Sequence, residues 1–208
     1  MQLVELFKVP LFVALLDLDT TAIEKYCLDY REKANETWDR TDNQTRLVDS
    51  RLLSNIGGFQ SKDVVIYPLI DEIDKYLIAF SEHLAIEGEL VVLNMWININ
   101  EFKDYNKSHA HPNALFAGVY YVKTPDKCGN IMFENPSHDV MEHTYHATKF
   151  NDRNVFNSVT HWQEAKENIL YVFPGWLKHR VEPNLSNEKR ISISFNIGLR
   201  DDCVVVWR

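Results

Sequence analysis

Residues 190–197 read RISISFNI, and the strict alternation in this segment limits the fold more than any other feature of the chain. Successive side chains of an extended strand point to opposite faces, so Ile191, Ile193, Phe195 and Ile197 share one face. Arg190, Ser192, Ser194 and Asn196 share the other. A second segment, LVVLNMWININ (90–100), repeats the pattern, with Met95, Ile97 and Ile99 opposite Trp96, Asn98 and Asn100. In one strand alone, a solvated face opposite a core face accounts for such alternation. Two strands whose polar faces are mostly uncharged, and carry one Arg and one Trp, fit a barrel better. Its interior is then a polar pocket and its exterior is covered by helices.

The remaining segments supply both parts. ALFAGVYYV (114–122), NIMFEN (130–135) and NILYVFP (168–174) are short, β-branched and aromatic, and are bounded by Gly, Pro and Asn, as strands of an all-β sandwich or barrel are. Before them, TTAIEKYCLDYREKANE (20–36) has a Thr at its start and helical spacing of Ile23, Tyr26, Cys27 and Tyr30. Within 64–86 a longer amphipathic helix carries Leu69, Ile70, Ile73, Tyr76, Leu77 and Phe80 on one stripe. The first 18 residues read as an extended strand entering the core, 35–46 and 101–108 as loops, and the polar, His-rich 137–163 as an insertion with one irregular strand. The predicted fold is mainly β with N-terminal helices. It is a single domain over 1–208, in which 1–88 supports a β core over 89–208, because the long helix needs a sheet face for its stripe.

Composition excludes some functions. The net charge of -8 leaves no basic stripe for a nucleic-acid backbone. The apolar run VPLFVALL (9–16) is too short to span a bilayer and is not read as a signal peptide, so no membrane role is expected. Cys27, Cys128 and Cys203 lie far apart with no CxxC spacing, which argues for reduced thiols in a cytoplasmic setting.

The segment NKSHAHPNA (106–114) holds the candidate chemistry. Residues two apart on an extended segment point the same way, with backbones roughly 6.5 Å apart, so His109 and His111 can converge on one ion. A facial site needs a third ligand from a distant strand. His179, in FPGWLKHRV, is the candidate. Arg190 can hold a carboxylate bidentately, and Ser192 can donate to the same group. Each signal alone has an ordinary explanation: an incidental histidine pair, a satisfied core histidine, or a salt-bridged arginine. Their joint order is the informative part.

WININ (96–100), HAHP (109–112), GVYYV (118–122), FENP (133–136), FPGWLKH (173–179) and RISISFN (190–196) occur in that order. The set resembles the Fe(II)- and 2-oxoglutarate-dependent oxygenases, in particular a compact family with an HxH…H…RxS pattern and prolyl-hydroxylase-like relatives. The resemblance spans roughly 90–199. It implies a double-stranded β-helix, a jelly-roll relative of the cupins, backed by α-helices. It implies Fe(II) and 2-oxoglutarate as cofactor and co-substrate, with ascorbate as an auxiliary reductant. His109 and His179 would take the two invariant histidine roles. Arg190 would bind the far carboxylate of 2-oxoglutarate, supported by Ser192, Tyr121 and an asparagine, Asn98 or Asn100. Trp96, Asn196 and Phe133 are candidates for the substrate pocket.

One position departs from the family pattern. Most of the superfamily has Asp or Glu two residues after the first histidine, and here His111 stands there. Either three imidazoles bind the iron, or His111 stays out and water fills the place; Glu134 is a weaker stand-in. Rival readings are a cupin-type metal enzyme that does not use 2-oxoglutarate and a non-catalytic jelly-roll binder. The first lacks its usual Glu beyond HxH, since Ala114, Leu115 and Phe116 occupy those places. MEHTYH (141–146) is not HExxH, and His143 and His146 read as loop residues. The expected activity is hydroxylation of a small molecule or peptide with release of succinate and CO2, and a homodimer is admitted.

Overall fold

A computed structural model describes residues 2, 6, 8–36 and 54–200. The expected loop beyond residue 36, together with Cys203, Trp207, Asp201 and Asp202, lies outside the described residues. In chain order the elements are β1 (Phe12–Leu15), α1 (Thr20–Glu36), β2 (Asn55–Ile56), β3 (Phe59–Gln60), α2 (Tyr67–Leu84), β4 (Leu90–Asn100), β5 (Tyr105–His109), β6 (Phe116–Lys123), β7 (Ile131–Glu134), α3 (His138–Tyr145), β8 (Thr160–Gln163), β9 (Ile169–Pro174), β10 (His179–Val181) and β11 (Arg190–Leu199).

The two alternating segments pair with each other along their whole length. β4 and β11 run antiparallel from Arg190 opposite Asn100 to Leu199 opposite Leu90. They lie inside a sheet ordered β1-β9-β6-β11-β4-β3, and a second sheet has the order β2-β5-β10-β7-β8. Every pairing is antiparallel. The two sheets form a jelly roll of the double-stranded β-helix type.

The two faces of the larger sheet differ as the alternation requires. Met95, Ile97, Ile99, Ile191, Ile193, Phe195 and Ile197 are buried in one cluster with Leu69, Ile73, Leu77 and Phe80 of α2 and with Ile23 and Cys27 of α1. Burying each large apolar chain contributes about 1.5–3 kcal/mol. Helix α2 packs on β4 and α1 on β6, and Lys123 of β6 reaches Glu24 of α1 at 2.9 Å. On the same face Gly118 of β6 has no room for a side chain, because a Cβ there would meet the Phe195 ring at 2.2 Å. The opposite face carries a smaller cluster of Val119, Tyr121, Tyr171, Phe173, Ile131, Phe133 and Leu177 between the sheets.

Four local expectations need correction. Among the described residues of the N-terminal segment, only the four of Phe12–Leu15 find a strand partner, in β9. The amide of Ala22 is capped by the Asp19 carboxylate at 3.1 Å, so Asp19, and not a threonine, is the cap of α1. The segment 101–108 is not all loop, since β5 starts at Tyr105. His143 sits on helix α3, and His146 follows at its C-cap. That helix buries none of its residues, so it has no apolar stripe by which a sequence could reveal it.

Candidate active site

Three short strands bring the histidines together. His109 ends β5 and His179 begins β10, and the two are direct cross-strand partners. Phe133 of β7 flanks His179 on its other side. His111 lies just past β5 in a turn fastened to the β9–β10 connection. Its amide donates to the Gly175 carbonyl at 2.7 Å, and the Gly175 amide donates to the Leu115 carbonyl at 2.9 Å. The approach is so close that a Cβ on Gly175 would lie 2.1 Å from the Ala114 carbonyl oxygen. Glycine is required there by contact with backbone.

The three imidazoles converge. Ring centroids are 5.1 Å apart for His109–His111, 4.3 Å for His109–His179 and 5.2 Å for His111–His179. One nitrogen from each ring can be chosen so that all lie within 4.8 Å of one another, and no other such metal-capable cluster occurs among the described residues. Two of the rings are oriented by backbone. His109 Nδ1 meets the Lys107 carbonyl at 2.8 Å, and His179 Nδ1 meets the Leu177 carbonyl at 2.9 Å. A carbonyl can only accept, so Nδ1 carries the proton in each and Nε2 keeps its lone pair for a metal. Burial pushes the pKa of all three rings down: His179 well below its ordinary value, and His111 to about 4, with His109 beside it adding to the effect. The rings are therefore neutral at neutral pH, the form that ligates.

The same pocket runs inward along the polar face of β11. Its lining includes Trp96, Asn98, His109, His111, Tyr121, Phe173, His179, Arg190, Ser192 and Ser194. Arg190 is 1% exposed. Its Nη1 donates to the carbonyl oxygens of Cys128 and Glu182. Its Nη2 is buried without a hydrogen-bond partner, and so is the hydroxyl of Tyr121. Burial raises the Tyr121 phenol's pKa, with the Arg190 charge opposing, so the hydroxyl keeps its proton and can donate. An unsatisfied buried donor costs about 1–3 kcal/mol, more for a charged one. Two donors left unpaired in one pocket can serve an anion. A dicarboxylate such as 2-oxoglutarate fits this requirement at one end, and the histidine cluster fits a metal ion.

Other residues fall in different places. Asn98 lines the pocket and donates to Ser194 at 3.0 Å, leaving its Oδ1 unpaired. The Asn100 amide instead donates to Asn55 Oδ1 at 2.8 Å, and Asn100 is not in the pocket wall. Trp96 stacks on His111 at 6.0 Å, and Phe133 lies 6.2 Å from His179 behind Phe173. Asn196 donates to Asn94 at 2.9 Å beside His111. Glu134 accepts from Ser108 at 2.5 Å and is absent from the histidine cluster. Two residues have roles that composition and pattern did not signal. Gly175 anchors the His111 turn. Asn184, fully buried, holds the carbonyls of Asn100 and Glu188 at 3.0 and 2.8 Å and so fastens the loop that leads into Arg190. A larger open cleft of about 610 Å³ lies at the 124–130, 164–166 and 182–185 turns, away from the histidines.

Comparison with known proteins points the same way. Residues 94–196 match a family model described as "Putative 2OG-Fe(II) oxygenase". No curated protein matches the sequence. Among solved structures, a Pseudomonas putida prolyl-4-hydroxylase is similar with a TM-score of 0.57 at 12% identity, covering 92% of this chain and 94% of that one. The non-heme alpha-ketoglutarate-dependent carbocyclase SnoK from nogalamycin biosynthesis gives 0.60 at 12% identity, covering 91% and 79%. HygX from Streptomyces hygroscopicus, with nickel and 2-oxoglutarate bound, gives 0.52 at 10%, covering 92% and 83%. At these identities the likeness is one of fold.

Proposed function

We propose that this chain, whose residues 94–196 match the 2OG-Fe(II) oxygenase family model, is a member of that family, that its three histidines hold the iron and that Arg190 holds the far carboxylate of 2-oxoglutarate. The protein is an Fe(II)- and 2-oxoglutarate-dependent dioxygenase, an oxidoreductase. When bound, iron and 2-oxoglutarate activate dioxygen, and oxidative decarboxylation to succinate and CO2 is coupled to oxidation of a substrate C–H bond.

The residues of the chain have simpler tasks. His109, His111 and His179 present neutral imidazoles from one side, which leaves further coordination positions for the co-substrate. Arg190 Nη2 and the Tyr121 hydroxyl supply charge-assisted and neutral hydrogen bonds to a carboxylate, with Ser192 and Asn98 alongside. Phe173, Val119, Ile131 and Val181 supply the apolar part of the wall, beside Ser54, Asn106 and Ser194, and their low polarity strengthens those bonds. With His111 where a carboxylate is usual, the site is one charge more positive and holds a dianion more tightly.

The observation that carries this reading is the pairing, in one pocket, of three converging neutral imidazoles with two buried donors that have no protein partner. The test is oxygen uptake by the purified chain with Fe(II), ascorbate and 2-oxoglutarate, following succinate. Turnover that needs both iron and 2-oxoglutarate supports the reading. Metal binding without consumption of 2-oxoglutarate would favour a cupin-type enzyme, and binding of neither would favour a plain jelly-roll binder. Our reading includes hydroxylation of a small molecule or peptide, with Trp96 nearest the substrate; Asn196 and Phe133, also expected there from the sequence, are not in the pocket wall. It includes folding of 1–208 as one domain and a cytoplasmic setting, supported by the buried free thiols of Cys27 and Cys128. The net charge of -8 speaks against a nucleic-acid backbone as partner. No helix among the described residues is long and apolar enough to cross a membrane. Light scattering decides between monomer and homodimer.

A further inference from the structure

Two of the three imidazoles are oriented by backbone carbonyls, through the hydrogen bonds of His109 to Lys107 and His179 to Leu177. His111, in a turn and not in a strand, has no such carbonyl partner among the hydrogen bonds of the described residues. What faces it is side chains from the larger sheet. The Leu115 amide donates to the Ile197 carbonyl at 2.9 Å, which lays the His111 turn against the end of β11. There Asn196 stands directly opposite Asn94 of β4. Asn196 Nδ2 donates to Asn94 Oδ1 at 2.9 Å. That bond sets the orientation of the amide and leaves Asn196 Oδ1 as the free acceptor. This oxygen is buried and has no hydrogen-bond partner among the described residues; Asn196 shares a face of β11 with Ser194, which stands opposite Trp96 of β4, and its side chain borders His111. One face of the ring is stacked on Trp96, with planes inclined by 21°.

We propose that Asn196, held by Asn94, is the positioning residue for His111: its Oδ1 accepts the ring N–H and turns the other nitrogen toward the metal. The inference rests on the assignment of His111 as a ligand in the preceding subsection. Ligating histidines need a partner for their second nitrogen, which sets tautomer and orientation and raises basicity. At the position where the family usually has a carboxylate, a histidine needs such a partner to act as a ligand, because a free ring can rotate or take the other tautomer. The Asn94–Asn196 pair across β4 and β11 supplies it from the rigid sheet.

The test uses Co(II) as the probe, with affinity by calorimetry and coordination by the visible d–d spectrum, on four variants of the full chain. Asn196→Leu has nearly the same shape without the acceptor, and Asn196→Asp keeps an acceptor. His111→Ala and the double variant His111→Ala/Asn196→Leu close the cycle. The expected result is a loss of Co(II) affinity of about 10-fold or more in Asn196→Leu. Its spectrum should shift toward that of His111→Ala, Asn196→Asp should retain most of the affinity, and Asn196→Leu should cost nothing further when His111 is already alanine. An equal cost of Asn196→Leu with and without His111 would overturn the proposal, as a general structural effect behaves that way. Wild-type affinity and spectrum in Asn196→Leu would overturn it too. If His111→Ala itself leaves Co(II) binding unchanged, the ligand assignment fails and the positioning role fails with it. If the wild-type chain and His179→Ala bind Co(II) alike, the metal site as a whole is refuted. If Asn196→Leu does not fold, loss of affinity and spectrum in Asn196→Asp, which keeps the acceptor, overturns the proposal and their retention supports it.

Discussion

The two faces of the β4–β11 pair are made by the same residues' backbones and are both buried, yet they serve opposite ends. On the helix side Ile97, Ile99, Ile191, Ile193, Phe195 and Ile197 are wholly enclosed within one apolar cluster. On the pocket side Arg190, Ser192, Asn98 and Asn100 are buried as well, but Arg190 Nη2 and Asn98 Oδ1 have no partner. The first face gains from burial. The second incurs a desolvation cost that a ligand offsets. One antiparallel ladder can therefore hold a polar site with unpaired groups because its reverse side is a well-packed core.

The comparison can be broken most easily at the metal end. His179→Ala should reduce 2-oxoglutarate-dependent oxygen uptake to background, as should chelation of the wild-type metal, while circular dichroism stays native; appreciable turnover in the variant would separate the pocket from the chemistry. On the helix face, Phe195→Ala should destabilise by about 3–5 kcal/mol in urea titration without changing 2-oxoglutarate affinity of the folded fraction. A change in affinity at that position would mean that the faces are coupled. On the pocket face, Arg190→Met should weaken 2-oxoglutarate binding by about 30-fold or more, since removing one side of a buried charged contact costs about 2–5 kcal/mol. Co(II) affinity should move little, whereas the urea midpoint should fall modestly, because relief of the unpaired donor is set against loss of the Nη1 bonds to the Cys128 and Glu182 carbonyls. Loss of Co(II) binding in that variant would assign Arg190 to the fold instead. The smallest effect concerns Cys27, whose thiol burial pushes up to about 12. The thiolate is the reactive form, and it is scarce below that value. Peptide mapping after iodoacetamide treatment at pH 8 should therefore find Cys27 unmodified in the folded chain and alkylated after denaturation.

Much of this architecture is readable without coordinates, and the exceptions follow a rule. β4 and β11 match the expected limits, as do α1 and the stripe of α2, because each buries one face and so carries a period of two or of 3.6. β5 (YNKSH) and β10 (HRV) carry no such period. Their existence depends on partners found only in the folded chain. Helix α3 escaped notice for the related reason that it buries nothing. Asn100 illustrates a limit on face assignment: alternation places it with Asn98, but nothing local says that the pocket ends before it and that Asn55 takes its amide.

Residue types and order alone determined that a β-roll would have one apolar and one polar buried face, and singled out HxH, a later histidine and an arginine as its candidate chemistry. They could do so because burial imposes periodicity and metal or carboxylate recognition demands particular side chains. Only the tertiary structure decided that His109 and His179 lie opposite each other, that Nδ1 of each is taken by a carbonyl, and that Arg190 keeps one nitrogen free. Those outcomes depend on register, on the close approach of Gly175 to the His111 turn, and on which donors find partners, all of which are settled between residues distant in the chain.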